Sequence, residues 1–271
     1  MKNFAVIGNP IIHSMSPIMH EWIFNELEID AKYEKIILNE NELMEFIEKI
    51  KNGKFDGINV TLPYKSKIIP FLDDINPRAK SIGAVNCIMK TNSHVIGNNT
   101  DWYGFSMAMK RNKINFDASS IILIGAGGAA KSIIFSLKNL GIKNITILIR
   151  NLDKVFEFQD DIINVMPMEM AHEIIQSNSI IINTTPVGMN SDKSPIKESL
   201  IHEHQILIDI IYNPLETKFL EFGKKKGALT INGLDMFIEQ GMASLDLWFG
   251  SSISKKVNFT QLKAYLGSQL C

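Results

Sequence analysis

A fully apolar run, Ile121-Ile122-Leu123-Ile124, ends directly in Gly125-Ala126-Gly127-Gly128-Ala129-Ala130, and no other stretch of the chain constrains the fold as tightly. Gly125 permits a sharp turn and Gly127 permits close backbone approach to a bound group. A helix starting near Gly128 would offer unpaired N–H groups and a positive dipole end. Such a junction suits a dinucleotide pyrophosphate. The spacing is G-x-G-G-A-A, with Ala130 standing where a third glycine is usual, a small-residue variant compatible with tight helix–strand packing. Taken alone, it also reads as a structural turn in an unrelated α/β domain. The strand before it, the helix after it and a second strand at 145–149 favour cofactor binding.

Apolar strand-like runs alternate with helical patterns along the whole chain, which is the signature of an α/β architecture with mainly parallel sheets. In the first series, strands are expected at 4–7, 33–38, 57–60 and 85–89, with helices at 20–27 and 42–50 and a further helix opening at Lys65. After a connecting helix at 103–110, a second series has strands at 121–124, 145–149, 180–183, 206–209 and 229–231. Helices at 129–140, 169–176 and 216–226 fill its crossovers. From Met236 the chain is helical, with Phe237, Leu245 and Trp248 as core positions. The expected fold is an N-terminal α/β substrate-binding domain, 1–101, and a C-terminal Rossmann-like dinucleotide-binding domain, 102–235. Helices over 236–271 are expected to pack back on the first domain, with the active site in the interdomain cleft.

Composition narrows the function. A length of 271 residues at 45% hydrophobic content supports two cores. With 28 basic against 29 acidic residues, no clustered positive footprint for nucleic acid is expected. Cys87 and Cys271 form neither a disulfide framework nor a zinc spacing with the six His, so no metal is expected. The apolar run Phe4 to Ile7 stops at Gly8-Asn9-Pro10, too short for a signal peptide or membrane helix, and a cytoplasmic protein, monomer or homodimer, is expected.

The end of the next strand selects the nicotinamide cofactor. An NAD enzyme tends to carry Asp or Glu there, whereas an NADP enzyme carries cations for the 2′-phosphate. Here stand Arg150, Asn151 and Lys154, two cations with an amide donor between, and NADP(H) is favoured. Asp153 is the complication, and a solvated loop is the bland alternative.

The first domain carries polar groups in unusual company. Ser14 and Ser16 lie two apart, so in an extended loop their hydroxyls would share a side and could grip a carboxylate. The alternative is a helix cap, with Ser16 as N-cap and Pro17 at the first helical position. Thr61 and Lys65 also read as turn and surface residues. Asn86 interrupts an apolar segment in Gly83-Ala84-Val85-Asn86, where it could merely bond to backbone, and Asp101 could cap the helix near Trp102.

Jointly these motifs read differently. N-P-I-x-H-S-x-S-P, N-V-T-x-P-x-K, G-A-V-N, N-T-D-x-x-G, G-A-G-G-A-A and Gly233-Leu234-x-Met236-x-x-x-Gln240 occur in order from Asn9 to Gln240, and the set closely resembles the shikimate dehydrogenase family. The resemblance implies a catalytic N-terminal domain, an NADP-binding Rossmann domain and reversible reduction of 3-dehydroshikimate to shikimate in aromatic biosynthesis. It implies that Ser14 and Ser16 hold the substrate carboxylate, that Thr61, Lys65, Asn86 and Asp101 surround its hydroxyls and carbonyl, and that Tyr212 and Gln240 complete the pocket. It further implies that Gly125, Ala126, Gly127, Gly128, Ala129 and Ala130 hold the pyrophosphate. Arg150, Asn151 and Lys154 would serve the 2′-phosphate, and Ile210 and Gly233 would lie near the nicotinamide. Three positions depart from the pattern: Cys87 follows the pocket Asn where Thr is common, Ile149 replaces the Asn before Arg150, and Leu152 breaks the usual Asn-Arg-Thr.

Hydride delivery to a ketone builds negative charge on its oxygen, so a nearby proton donor or cation lowers the barrier. Lys65 is the candidate, with Asp101 orienting it. His13 and His20 are alternative acids. A quinate/shikimate dehydrogenase using NAD or both cofactors shares almost every motif, and a non-catalytic NADP redox sensor is the rival from outside enzymes; a sensor has no need of the Lys65 and Asp101 pair.

Overall fold

The computed structural model describes residues 1–116, 120–153, 158, 160–175 and 179–270. The chain runs through β1 (Lys2–Gly8), α1 (Ser16–Glu26), β2 (Ala31–Ile37), α2 (Leu43–Lys51), β3 (Gly57–Val60), β4 (Asp74–Ile75), α3 (Pro77–Ile82), β5 (Cys87–Thr91), β6 (His94–Asn98) and α4 (Asp101–Arg111). It continues through β7 (Ser120–Ile124), α5 (Gly128–Asn139), β8 (Ile145–Ile149), β9 (Ile163–Pro167), α6 (Ala171–Ile174) and β10 (Ser179–Asn183). Then follow β11 (Ile206–Asp209), α7 (Lys218–Lys226), β12 (Leu229–Ile231), α8 (Leu234–Phe249) and α9 (Phe259–Ser268). Contacts divide it into one unit of Met1–Gly104 with Ile238–Cys271 and another of Phe105–Phe237, each with its own sheet.

The second unit's sheet is parallel throughout, in the order β12-β11-β10-β7-β8-β9. Its central strands are apolar on both faces because both are covered. Ile121 and Leu123 join a core with Ile133 and Leu137 of α5, whereas Ile122 and Ile124 join another with Phe219 and Leu220 of α7. Each such side chain contributes roughly 1.5–3 kcal/mol on burial. Strand order reverses between β7 and β10, the position where doubly wound sheets open a crevice at the carboxyl ends.

The first unit's sheet has the order β2-β1-β3-β5-β6-β4. β1 pairs in parallel with β2 and β3, but β5 runs against both β3 and β6. The reversal follows from the two-residue connection at Asn92-Ser93, where Asn92 adopts φ 55°; so short a link permits only antiparallel pairing. Because β5 is inverted, the lead-in to β5 reaches the same sheet end as the loops after β1, β3 and β6. Four segments carrying Ser14 and Ser16, Thr61 and Lys65, Asn86, and Asp101 therefore share one edge. On one face α2 buries Leu43, Phe46, Ile47 and Ile50 in a core with Ile7 and Ile58. Trp248 of α8 stacks on Phe4 of β1 at 4.7 Å.

Several local expectations are corrected. No helix opens at Lys65: the segment makes a single turn, with Ile68 N donating to the Tyr64 carbonyl at 2.9 Å, before a 3₁₀ turn at Ile69–Phe71. Pro63 and Pro70 explain this, since the second removes a donor and disfavours helical geometry at Ile69. α1 begins at Ser16, four residues before the expected start, and β5 begins at Cys87 rather than Val85. The expected 169–176 helix is reduced to a 3₁₀ turn and α6, with position 176 outside the described residues. β4, α3, β6 and β9 were not foreseen. Among the described residues, no helix is long and apolar enough to cross a membrane.

Candidate active site

The Asn99-Thr100-Asp101 segment leaves β6 and enters α4 with a division of labour. Asn99 Oδ1 accepts from the backbone N–H of Asp101 at 3.0 Å and of Trp102 at 3.4 Å, so Asn99 does the capping that Asp101 might have done. The Asp101 carboxylate is left for other partners. Lys65 Nζ donates to its Oδ2 at 2.6 Å, and Asn86 Nδ2 donates to its Oδ1 at 2.7 Å. The Asp101 side chain is 6% exposed and that of Lys65 18%, so the pair interacts with little solvent screening while the ammonium retains an open side.

Asn86 is the hub of this cluster, bonding side chains as well as backbone. Its Nδ2 also lies 2.9 Å from Thr100 Oγ1 and 3.3 Å from Gln240 Oε1, and its Oδ1 accepts from Thr100 N at 2.6 Å. Gln240, on α8, thus belongs to the same unit and the same cluster as Asn86. Beside it, Cys87 is fully buried, and burial pushes its thiol up to about 12. A thiol this protonated is no nucleophile.

Ser14 and Ser16 meet by a different route from the one expected. The loop is not extended: Met15, with φ −89° and ψ 2°, takes the cap position of α1 without a side-chain bond. That bend brings Ser14 Oγ to 3.2 Å from Ser16 Oγ and 3.3 Å from Ser16 N. Asn9 N donates to the Leu62 carbonyl at 3.0 Å, which ties this loop to the Thr61 turn. Lys35 Nζ donates to the Ile12 carbonyl at 2.8 Å and steadies it further.

His20 is not an acid for this site. It is fully buried, its Nδ1 lies 2.7 Å from the Ser16 carbonyl, and its Nε2 has no partner. Burial lowers its pKa to about 4 from 6.5. The neutral ring favours the fold, so stability from this group is complete above pH 6.5 and is lost as pH falls toward 4, by about 3 kcal/mol at 1.36 kcal/mol per unit. Asp209 of the second unit works in the opposite sense: burial raises it to about 6 from 3.8, and its share is lost as pH rises through that window. Raw pH profiles hide both, so the test is a comparison of urea unfolding for wild type and His20→Phe. The wild type should lose about 3 kcal/mol relative to the variant between pH 7 and pH 4; parallel profiles would refute the assignment.

In the second unit, Gly125 adopts φ +111°, and a Cβ there would lie 2.7 Å from Thr184 Oγ1. A Cβ on Gly127 would meet nothing within 4 Å, and among the described residues no side chain caps α5. Protein packing does not require glycine at position 127; a backbone cradle for a pyrophosphate does, and the residues fit a dinucleotide. Ala126, Gly128 and Ala129 line the turn, and Ala130 is buried against the core. Arg150 is exposed just beyond β8, and Asn151 Oδ1 accepts from Asp153 N at 3.0 Å, leaving its N–H donors available. Lys154 lies outside the described residues. Ile210 and Gly233 are in backbone contact, and Tyr212 stacks on Phe237 at 4.1 Å. Asp209 holds the start of this loop, accepting from Thr217 Oγ1 at 2.7 Å and from Asn183 Nδ2 and Ile211 N at 3.1 Å each.

Sequence reasoning missed Thr100, Asn59 and Ser244 as members of the Asn86 cluster. Thr100 stood next to a chosen residue; Ser244 lies 144 positions from Thr100, and nothing local marked it. Among the described residues no His, Cys, Asp and Glu group could hold a metal.

Comparison with known proteins shows what the chain is similar to. Residues 6–88 match the shikimate dehydrogenase substrate binding domain, and residues 106–215 match the shikimate / quinate 5-dehydrogenase family. The chain is 38% identical over 258 residues to the shikimate dehydrogenase (NADP(+)) of Clostridium perfringens, covering 94% of this chain and 95% of that protein. It is 40% identical over 256 residues to the Bacillus cereus enzyme of the same name, covering 92% of each. The shikimate 5-dehydrogenase from Thermus thermophilus, solved with NADP(H) and shikimate, superposes with a TM-score of 0.87 at 29% identity over the full length of both chains.

Proposed function

The chain belongs to the shikimate dehydrogenase family, and from that premise we propose how its own residues carry out the reaction. It is an oxidoreductase that interconverts 3-dehydroshikimate and shikimate with NADP(H) as coenzyme. When bound, the coenzyme supplies hydride to the ketone or takes it from the alcohol.

Lys65 donates a proton or a charge-assisted hydrogen bond to the ketone oxygen as negative charge builds on it, which is the contribution the step needs most. Asp101 aims the ammonium and accepts a hydrogen bond from the neighbouring ring hydroxyl. Asn86, Thr61 and Gln240 bond the remaining hydroxyls, and Ser14 and Ser16 hold the carboxylate through hydroxyls already 3.2 Å apart. Tyr212 contributes a further substrate contact. Gly125, Ala126, Gly127, Gly128, Ala129 and Ala130 cradle the pyrophosphate, Arg150, Asn151 and Lys154 meet the 2′-phosphate, and Ile210 and Gly233 border the nicotinamide. The observation that carries this reading is the Lys65–Asp101 pair at 2.6 Å, buried on the carboxylate side and held by Asn86.

The test is absorbance at the NADPH band with shikimate and each oxidised cofactor. Shikimate with NADP+ should give the highest rate, above NAD+ and above quinate. Arg150→Ala should raise KM for NADP+ about tenfold, the worth of one exposed guanidinium–phosphate contact, with little change for NAD+. Equal KM changes for the two cofactors would remove Arg150 from the 2′-phosphate, and binding of NADPH without shikimate oxidation would support the sensor.

A further inference from the structure

Behind Asn86 lies a chain of buried polar groups with no direct part in the reaction. The Tyr33 hydroxyl donates to Asn59 Oδ1 at 2.7 Å, which turns Asn59 Nδ2 toward the Asn86 carbonyl oxygen at 3.1 Å and Ser244 Oγ at 3.0 Å. Ser244 Oγ donates to the Gln240 carbonyl at 3.0 Å and lies 3.2 Å from Thr100 Oγ1. Thr100 in turn bonds both ends of the Asn86 amide.

A serine hydroxyl has one proton and two acceptor sites. With its proton on the Gln240 carbonyl, the fully buried Ser244 oxygen accepts from Asn59 Nδ2 and keeps a second acceptor site facing the Thr100 hydroxyl, which also lies 3.2 Å from Asn86 Oδ1. Stability alone is a poor reason for such a chain. Replacing paired buried polar groups with apolar ones of similar shape is often nearly neutral, whereas what a saturated network secures is orientation. Here the oriented group is Asn86, whose amide has hydrogens for Asp101 Oδ1 and one other acceptor.

We propose that Ser244 is a positioning residue: through Thr100 it fixes the Asn86 side-chain amide, through Asn59 it fixes the Asn86 backbone that carries it, and through Asn86 it aims the Asp101 carboxylate at Lys65. The proposal rests on the dehydrogenase reading above. Ser244→Ala should lower kcat for shikimate oxidation about tenfold, and Tyr33→Phe, one bond more remote, about threefold, both with KM for NADP+ unchanged. A crystal structure of Ser244→Ala should show the Asn86 amide turned off Asp101 Oδ1. Two results would overturn the proposal: kcat within twofold of wild type in both variants while Tm falls, or an Asn86–Asp101 hydrogen bond retained in Ser244→Ala. If Ser244→Ala does not fold, kcat of Tyr33→Phe decides. A wild type inactive on shikimate would count against the dehydrogenase reading, and the Ser244→Ala crystal structure would still decide this one.

Discussion

Replacing Lys65 by alanine is expected to lower kcat for shikimate oxidation by two to three orders of magnitude, within the roughly 10²–10⁴-fold range of a positioned proton-transfer group. KM for shikimate should change by less than about tenfold, because the carboxylate grip at Ser14 and Ser16 and the hydroxyl contacts of Thr61 and Gln240 are untouched. The asymmetry between kcat and KM is the informative part. A group that merely binds substrate would raise KM at constant kcat, whereas one needed as charge develops on the reacting carbon's oxygen lowers kcat. Removing the ammonium also leaves Asp101, 4% exposed, with Asn86 as its remaining side-chain donor partner, and an unpaired buried charge is unfavourable. Some loss of Tm is therefore expected, and steady-state kinetics well below Tm separate the two effects. Near-normal kcat in Lys65→Ala would dismiss it as the proton donor.

Gly233→Ala should have the largest effect on stability. A Cβ at that position would sit 2.0 Å from the Ile210 carbonyl oxygen and 2.4 Å from its carbon, and both are backbone atoms. The Ile210 segment has no room to retreat, since Ile210 N is bonded to the Asn183 carbonyl at 3.2 Å and Gly233 N to the Ile211 carbonyl at 2.9 Å. Overpacking against fixed backbone costs at the upper end of the usual range, about 3 kcal/mol. Thermal unfolding should show Tm lower by roughly 10 °C. If Ile210 and Gly233 border the nicotinamide, KM for NADP+ should rise with it. An unshifted Tm would mean that the backbone yields more readily than these bonds allow.

Legibility in the sequence followed how much of the signal was local. The strand at 121–124 and its glycine turn were readable because a strand covered on both faces must be apolar throughout, and because φ +111° at Gly125 calls for glycine. β6 was missed because it begins and ends in polar residues, His94 and Asn98, with Gly97 inside it. β9 was missed because it is an outer strand carrying Asn164 and ending in Pro167. α3 was missed despite a clear local signal, Asn76 as a bonded cap, Pro77 in the first turn and left-handed Gly83 at the end. At the site, the types and order of Ser14, Ser16, Lys65, Asn86 and Asp101 were readable as motifs. Their geometry was not. The bend at Met15, the capping by Asn99 and the antiparallel run of β5 decide which atoms meet, and each depends on pairing across the sheet or on a dihedral angle. Ser244 was hidden for the same reason, as a small polar residue whose partners Asn59 and Thr100 lie far away in the chain.

The measurement that bears most directly on the central claim is a crystal structure of the protein with shikimate and NADP+. The account predicts the Lys65 ammonium within about 3.2 Å of the hydroxyl on the ring carbon that gives up hydride, and the Asp101 carboxylate within the same distance of the neighbouring hydroxyl, the two side chains still bonded to each other. Either side chain turned away from the ring, with another group at its oxygen, would contradict it.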